Sequence, residues 1–192
     1  MTEQQKPPNM RLDLYENAGF SRGASRLKEL AWITLSGVVF NSWLPGSGWR
    51  CSLLRAFGAR IGRGVVIKSY VAVKFPWRLT VADHVWIGER VWIDNLAEVT
   101  IGAHSCISQG VYLCTGTHDW ADPRFGLITR PIAIGSGCWL GAGSTLAPGS
   151  IVEDGAILAI KALGTGRLAQ GQIYLNDGSI KQRPAVADAG SN

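Results

Sequence analysis

His118 stands at the entrance of a polar interruption, in the run "LCTGTHDWADPRFGLITRPI", and is one of three histidines in the chain. An imidazole titrates near neutral pH, so it can take a proton from a hydroxyl and pass it on. Asp94 and Asn95, in the hexad "IDNLAE", supply a carboxylate and an amide that could orient such a base or bind an acceptor. Asp119 follows the histidine and adds a second carboxylate on the acceptor side. The plainer alternative is that His118 hydrogen-bonds the loop and Asp94 serves a turn. His84 and His104 lie twenty residues apart in "VADHV" and "IGAHS". Stacked imidazoles could start a metal site, but a corner that tolerates left-handed backbone explains them better, and no metal is expected.

What would bring Asp94, Asn95 and His118 to one face is a six-residue aliphatic period. Ile61, Ile67, Val73 and Leu79 keep it, then Val81, Ile87, Ile93 and Val99, then Ile101, Ile107 and Leu113. After the interruption it resumes at Ile134, Leu140, Leu146, Val152 and Leu158. Helices repeat near 3.6 and strands at 2, so six fits neither alone. It fits a chain that turns a corner every six residues and points one aliphatic side chain inward per side. Two-residue steps at Leu79–Val81 and Val99–Ile101 make each coil about twenty residues. The expectation is an all-β fold, a parallel β-helix of about five coils over residues 59–163. Residues 119–131 form an inserted loop and 164–192 a tail. Neighbouring coils stack about 4.8 Å apart. Residues after the inward aliphatic are small (Gly62, Gly88, Gly102, Gly135, Gly141), as corners without a Cβ clash require.

Composition agrees. The 192 residues are 46% hydrophobic and 17% charged, with 24 glycines, as buried sides and bare corners would give. The net charge of +5 contains no dense Lys/Arg run, so no nucleic-acid partner is expected. It would suit phosphorylated ligands or an anionic membrane face. Cys51, Cys106, Cys114 and Cys138 have no metal-ligand spacing and read as reduced thiols of a cytoplasmic protein.

Residues 1–58 precede the coils. After a polar arm, "LKELAWITLSGVVFNSWL" at 27–44 is apolar and Trp-rich, and "WRCSLLRAFG" reads as a second short helix. The uncharged stretch is too short to span a bilayer. It either caps the open end of the β-helix or rests on the inner membrane face with Trp32 and Trp43 at headgroup level.

The stretch from Ile61 to Trp120, above all "CISQGVYLCTGTHDW", resembles the hexapeptide acyltransferases, most closely the colanic acid biosynthesis acetyltransferases, over roughly residues 20–158. The resemblance implies a left-handed β-helix, a homotrimer with sites between subunits, and transfer of acetyl from acetyl-CoA to a sugar hydroxyl. It places the family's catalytic base on His118 and an acceptor-side acid on Asp94. It puts Trp139, Gly141 and Ala142 of "CWLGAG" beside a coenzyme A groove. The chain departs from the pattern at "LAIKALGTGR", where Ile160 and Lys161 occupy a glycine-rich turn at the distal end of that groove. Lys161 and Arg167 are candidate phosphate partners. The alternatives from other classes are a β-helical scaffold that no longer binds coenzyme A and a metal-dependent hydratase.

Overall fold

In the computed structural model, which describes residues 10–17 and 19–184, each six-residue side becomes a strand of two or three residues. Strands so short bury little alone and persist by stacking on their neighbours. They stack in parallel into the three faces of a left-handed β-helix. The first face runs from Arg60–Ile61 to Arg167–Leu168 in six strands. The second runs from Val66–Ile67 to Gln172–Tyr174, also in six, and the third from Ala72–Val73 to Leu163–Gly164 in five. Register is set by the inward aliphatics: Ile61 pairs with Val81, Val81 with Ile101, Ile101 with Ile134, and Ile134 with Val152. All are buried and form one continuous core.

The helix is longer than the five coils expected. Arg167–Leu168 and Gln172–Tyr174 continue the stack, and Ile180–Gln182 folds back antiparallel on the second face. The aliphatic frame hides this because its next position is Gly164. A Cβ there would lie 2.6 Å from Leu146 Cδ2 and 3.2 Å from Leu158 Cδ2. Leucines from adjacent coils already fill that space, so no aliphatic side chain fits.

Two different constraints shape the corners. The residue after the inward aliphatic is small because the next coil passes over it: a Cβ on Gly141 would lie 2.6 Å from the Ile160 nitrogen. The residue two further on takes left-handed backbone, which His84 (φ 57°) and His104 (φ 58°) adopt without glycine. Their rings stack 5.1 Å apart.

Helix α1 (Arg26–Leu35) is capped by Ser25, whose hydroxyl accepts from the Lys28 N–H, and runs into a π-turn at Ser36–Phe40. Helix α2 (Gly48–Ala56) follows. Trp32, Phe40, Cys51 and Leu54 join the core and close the end of the first coil. Trp32 is therefore not at a membrane surface. Its ring is buried, and its indole N–H donates to the Val73 carbonyl at 2.9 Å, because the end of the coil needs a large apolar cover. Trp43 is exposed. Buried Arg50 donates to the carbonyls of Phe40, Ser42, Leu44 and Gly46, bracing the turn between the helices. Among the described residues, no helix is long and apolar enough to cross a membrane.

Candidate functional site

The interruption after the third-face strand Tyr112–Cys114 is a hairpin. Gly116–His118 pairs antiparallel with Leu127–Thr129, and Asp119 N–H closes the tip on the Gly126 carbonyl at 2.9 Å. The pairing satisfies the backbone of an insertion that would otherwise leave the coil as loose chain. His118 thus sits on a strand opposite Leu127.

Its imidazole is fixed. Nδ1 lies 2.9 Å from the Phe125 carbonyl oxygen, and the Phe125 ring stacks on it at 4.3 Å and 3°. A carbonyl only accepts, so Nδ1 carries the proton in the neutral ring and Nε2 keeps its lone pair. Phe125 holds φ at 51°, a conformation uncommon for a bulky residue and often found at functional sites. A third ring, Tyr15, lies 5.9 Å from the imidazole.

His118 lies between two cavities. One, of about 410 Å³, is lined by Tyr15, Asn17, Phe20, Arg22, Glu29, Ile33, Lys74, Phe75, Leu96 and Leu127. The other, of about 320 Å³, is lined by Asp119, Trp120, Ile128, Arg130 and Pro148. The N-terminal arm is tied in place here. Arg11 N–H donates to the Pro123 carbonyl at 2.8 Å, and the Trp77 indole donates to the Arg22 carbonyl at 2.8 Å.

Asp94 is buried and reaches this site indirectly. Its Oδ1 lies 3.1 Å from Lys74 Nζ, and its Oδ2 accepts from the Tyr112 hydroxyl at 3.2 Å. Burial, then Cys114 and Asp94, hold the Tyr112 phenol well above its ordinary range, so it remains a donor. Lys74, not Asp94, lines the cavity. Asn95 is a correction. It is wholly buried, accepts from Phe75 N–H at 2.9 Å and donates to the Phe75 carbonyl at 2.7 Å. Its amide braces adjacent coils and, wholly buried, is out of reach of an acceptor. Asp119 is exposed and accepts from the Ala121 N–H, shaping the tip of the hairpin.

Trp139, Gly141, Ala142 and Ile160 do come together. They line a groove of about 440 Å³ on the second face, with Ser108, Gln109 and Ile173. The Trp139 indole donates to Ser108 Oγ at 2.9 Å and is held against the sheet. Gly141, Ala142 and Ala159 leave the floor shallow, and exposed Ile160 forms a wall. Lys161 is at the adjoining corner, with φ 54°. Arg167 is a second correction. It projects from the first face and pairs with Glu153, outside this groove of its own chain, because the strand Arg167–Leu168 belongs to a different face.

Lys74 and the arm residues Tyr15, Asn17, Phe20 and Arg22 escaped the sequence reading. Lys74 was within reach of coil arithmetic, since it precedes Asp94 by one coil of twenty residues. The arm carries no period and gave no signal.

No family model matches the chain. It is 42% identical over 152 residues, 76% of this chain and 83% of the relative, to an Escherichia coli (strain K12) protein named, provisionally, colanic acid biosynthesis acetyltransferase WcaF. In structure it resembles the hexapeptide-repeat acetyltransferase VCA0836 of Vibrio cholerae O1 biovar eltor complexed with acetyl-CoA. The TM-score is 0.76 at 17% identity, covering 92% of this chain and 97% of that one. A galactoside acetyltransferase in complex with coenzyme A matches with TM-score 0.73 at 20% identity, covering 88% and 86%.

Proposed function

The chain belongs to the hexapeptide-repeat acetyltransferases, and from that premise we propose that it transfers acetyl from acetyl-CoA to a sugar hydroxyl, with His118 as general base. The observation that carries the reading is the hydrogen bond from His118 Nδ1 to the Phe125 carbonyl, which leaves Nε2 ready to accept a proton at the junction of two cavities.

The larger of those cavities suits the acceptor. Tyr15 offers a ring against which a pyranose can stack, and Asn17, Arg22 and Lys74 offer polar contacts. The groove from Trp139 to Ile173 suits the pantetheine arm of the donor: small residues floor it, apolar side chains wall it, and Ser108 and Gln109 supply polar edges. Lys161 and Lys181 lie near its far end. Lys181 pairs with Ile173, so both side chains share the outer face, and the two lysines suit the phosphates.

His118 Nε2 takes the proton of the acceptor hydroxyl as that oxygen bonds to the thioester carbonyl carbon. Backbone N–H groups steady the resulting oxyanion. The carbon–sulfur bond then breaks, and the imidazolium returns the proton to the leaving thiolate.

In one chain His118 and the groove do not share a cavity, which supports a trimer whose sites join the hairpin of one subunit to the second face of the next. The test is complementation. His118→Ala chains and Ala142→Trp chains, inactive alone, are unfolded together and refolded. Random assortment in a closed trimer restores about a quarter of the sites if they lie between subunits. No recovery in mixed trimers would place the whole site in one chain.

A further inference from the structure

Helix α1 turns Lys28 and Glu29 inward and its oil outward. Glu29 is buried and paired with Arg22, and half-buried Lys28 reaches over the Trp77 ring. The opposite side shows Leu27 (78% exposed), Leu30 (61%) and, through the π-turn, Val38 (74%). Leu27, Leu30 and Thr34 are spaced so that they share one helical face. From Arg26 to Val38 no exposed residue is acidic. Arg26 stands at one end of the stripe, and exposed Trp43 and Leu44 follow the other.

We infer that this stripe docks on an anionic phospholipid bilayer, so that the acceptor hydroxyl is one presented at a membrane surface. An apolar stripe with a cation and a tryptophan at its ends and no carboxylate is complementary to the headgroup and upper acyl layer of such a membrane. Fifteen helical residues span roughly 22 Å, enough to lie in the interface and too short to cross it. The stripe is continuous with the acceptor cavity. Ile33 is 56% exposed beside the stripe and also lines the cavity that contains His118. A bilayer seated on α1 thus brings its headgroup layer to the mouth of that cavity. A sugar carried on a lipid enters sideways, whereas a protein seated there would close the mouth. The acceptor part of this inference rests on the proposed acetyl transfer; the docking part does not.

The test uses the full chain and vesicles of phosphatidylcholine with or without phosphatidylglycerol. The protein is expected to float with the anionic vesicles, less so as salt rises. The triple variant Leu27→Ser, Leu30→Ser, Val38→Ser is expected to lose about tenfold or more in partitioning. Its sedimentation and its calorimetric affinity for acetyl-CoA should match the unaltered protein. Absence of vesicle binding by the unaltered protein overturns the inference, as does equal binding by the variant. A smaller oligomer in the variant shows that a second copy covers the stripe and also overturns it. Failure of the proposed acetyl transfer would be seen separately, as no heat on titration with acetyl-CoA.

Discussion

The imidazole of His118 is held by Phe125 in two ways at once: its Nδ1 lies 2.9 Å from the Phe125 carbonyl oxygen, and the two rings stack at 4.3 Å. The carbonyl sets the tautomer and the ring sets the plane. Both come from a residue with left-handed backbone seven positions further on.

Replacing His118 by Ala should lower kcat by about 10²- to 10⁴-fold, the usual cost of losing a general base. His118 lies on a hairpin outside the coil core, so thermal unfolding should hardly move. Turnover within a few-fold of normal would assign the base to another group.

Phe125→Gly separates the two holds. Glycine adopts φ 51° readily and keeps the carbonyl, so the tautomer survives while the stacked ring is lost. Turnover should drop about three- to tenfold, for a ring interaction of about 0.5–1.5 kcal/mol. An unchanged kcat would show that the stack does not position the base.

Asn95→Ala should cost about 1–3 kcal/mol of stability, because it orphans the buried N–H of Phe75, while the Phe75 carbonyl keeps the Arg78 N–H at 2.9 Å. Chemical denaturation reads this directly. A rise in acceptor KM with unchanged stability would instead return Asn95 to the acceptor site.

Gly141→Ala and Gly143→Ala should rank in a set order. A Cβ at Gly141 meets backbone of the next coil at 2.6 Å, so the stack must shift, at about 1–3 kcal/mol and with weakened acetyl-CoA binding. At Gly143 the nearest atom is Lys161 Cγ at 3.7 Å, and the cost is only that of left-handed backbone (φ 64°), about 1 kcal/mol. The reverse order in denaturant midpoints would contradict the assigned corner geometry.

Trp139→Ala should weaken acetyl-CoA binding by about tenfold through lost apolar contact. Lys161→Ala should weaken it about three- to tenfold in low salt and less in high salt, as a phosphate contact does. Calorimetry at two salt concentrations distinguishes the two losses.

The six-residue period by itself determined the β-helix, its register and its core. One inward aliphatic per strand is a local rule, and stacking repeats it until Gly164, where leucines from neighbouring coils take the space. The same arithmetic named His118 as the histidine at the break in the frame, whereas the family resemblance grouped Trp139, Gly141, Ala142 and Ile160 at one groove. Only the tertiary structure decided what each polar side chain meets. Asn95 turned to the backbone of the preceding coil, Arg167 to Glu153 on another face, and Lys74 to the cavity that Asp94 was expected to line. Only the tertiary structure brought the arm residues Tyr15, Asn17, Phe20 and Arg22 to the cavity that His118 lines, since the arm has no period and its place depends on contacts such as that of Trp77 with Arg22, 55 residues apart. Periodicity records which way a backbone faces. The partner of a buried polar group depends on which donors and acceptors arrive from elsewhere in the chain, and no spacing in the sequence encodes that.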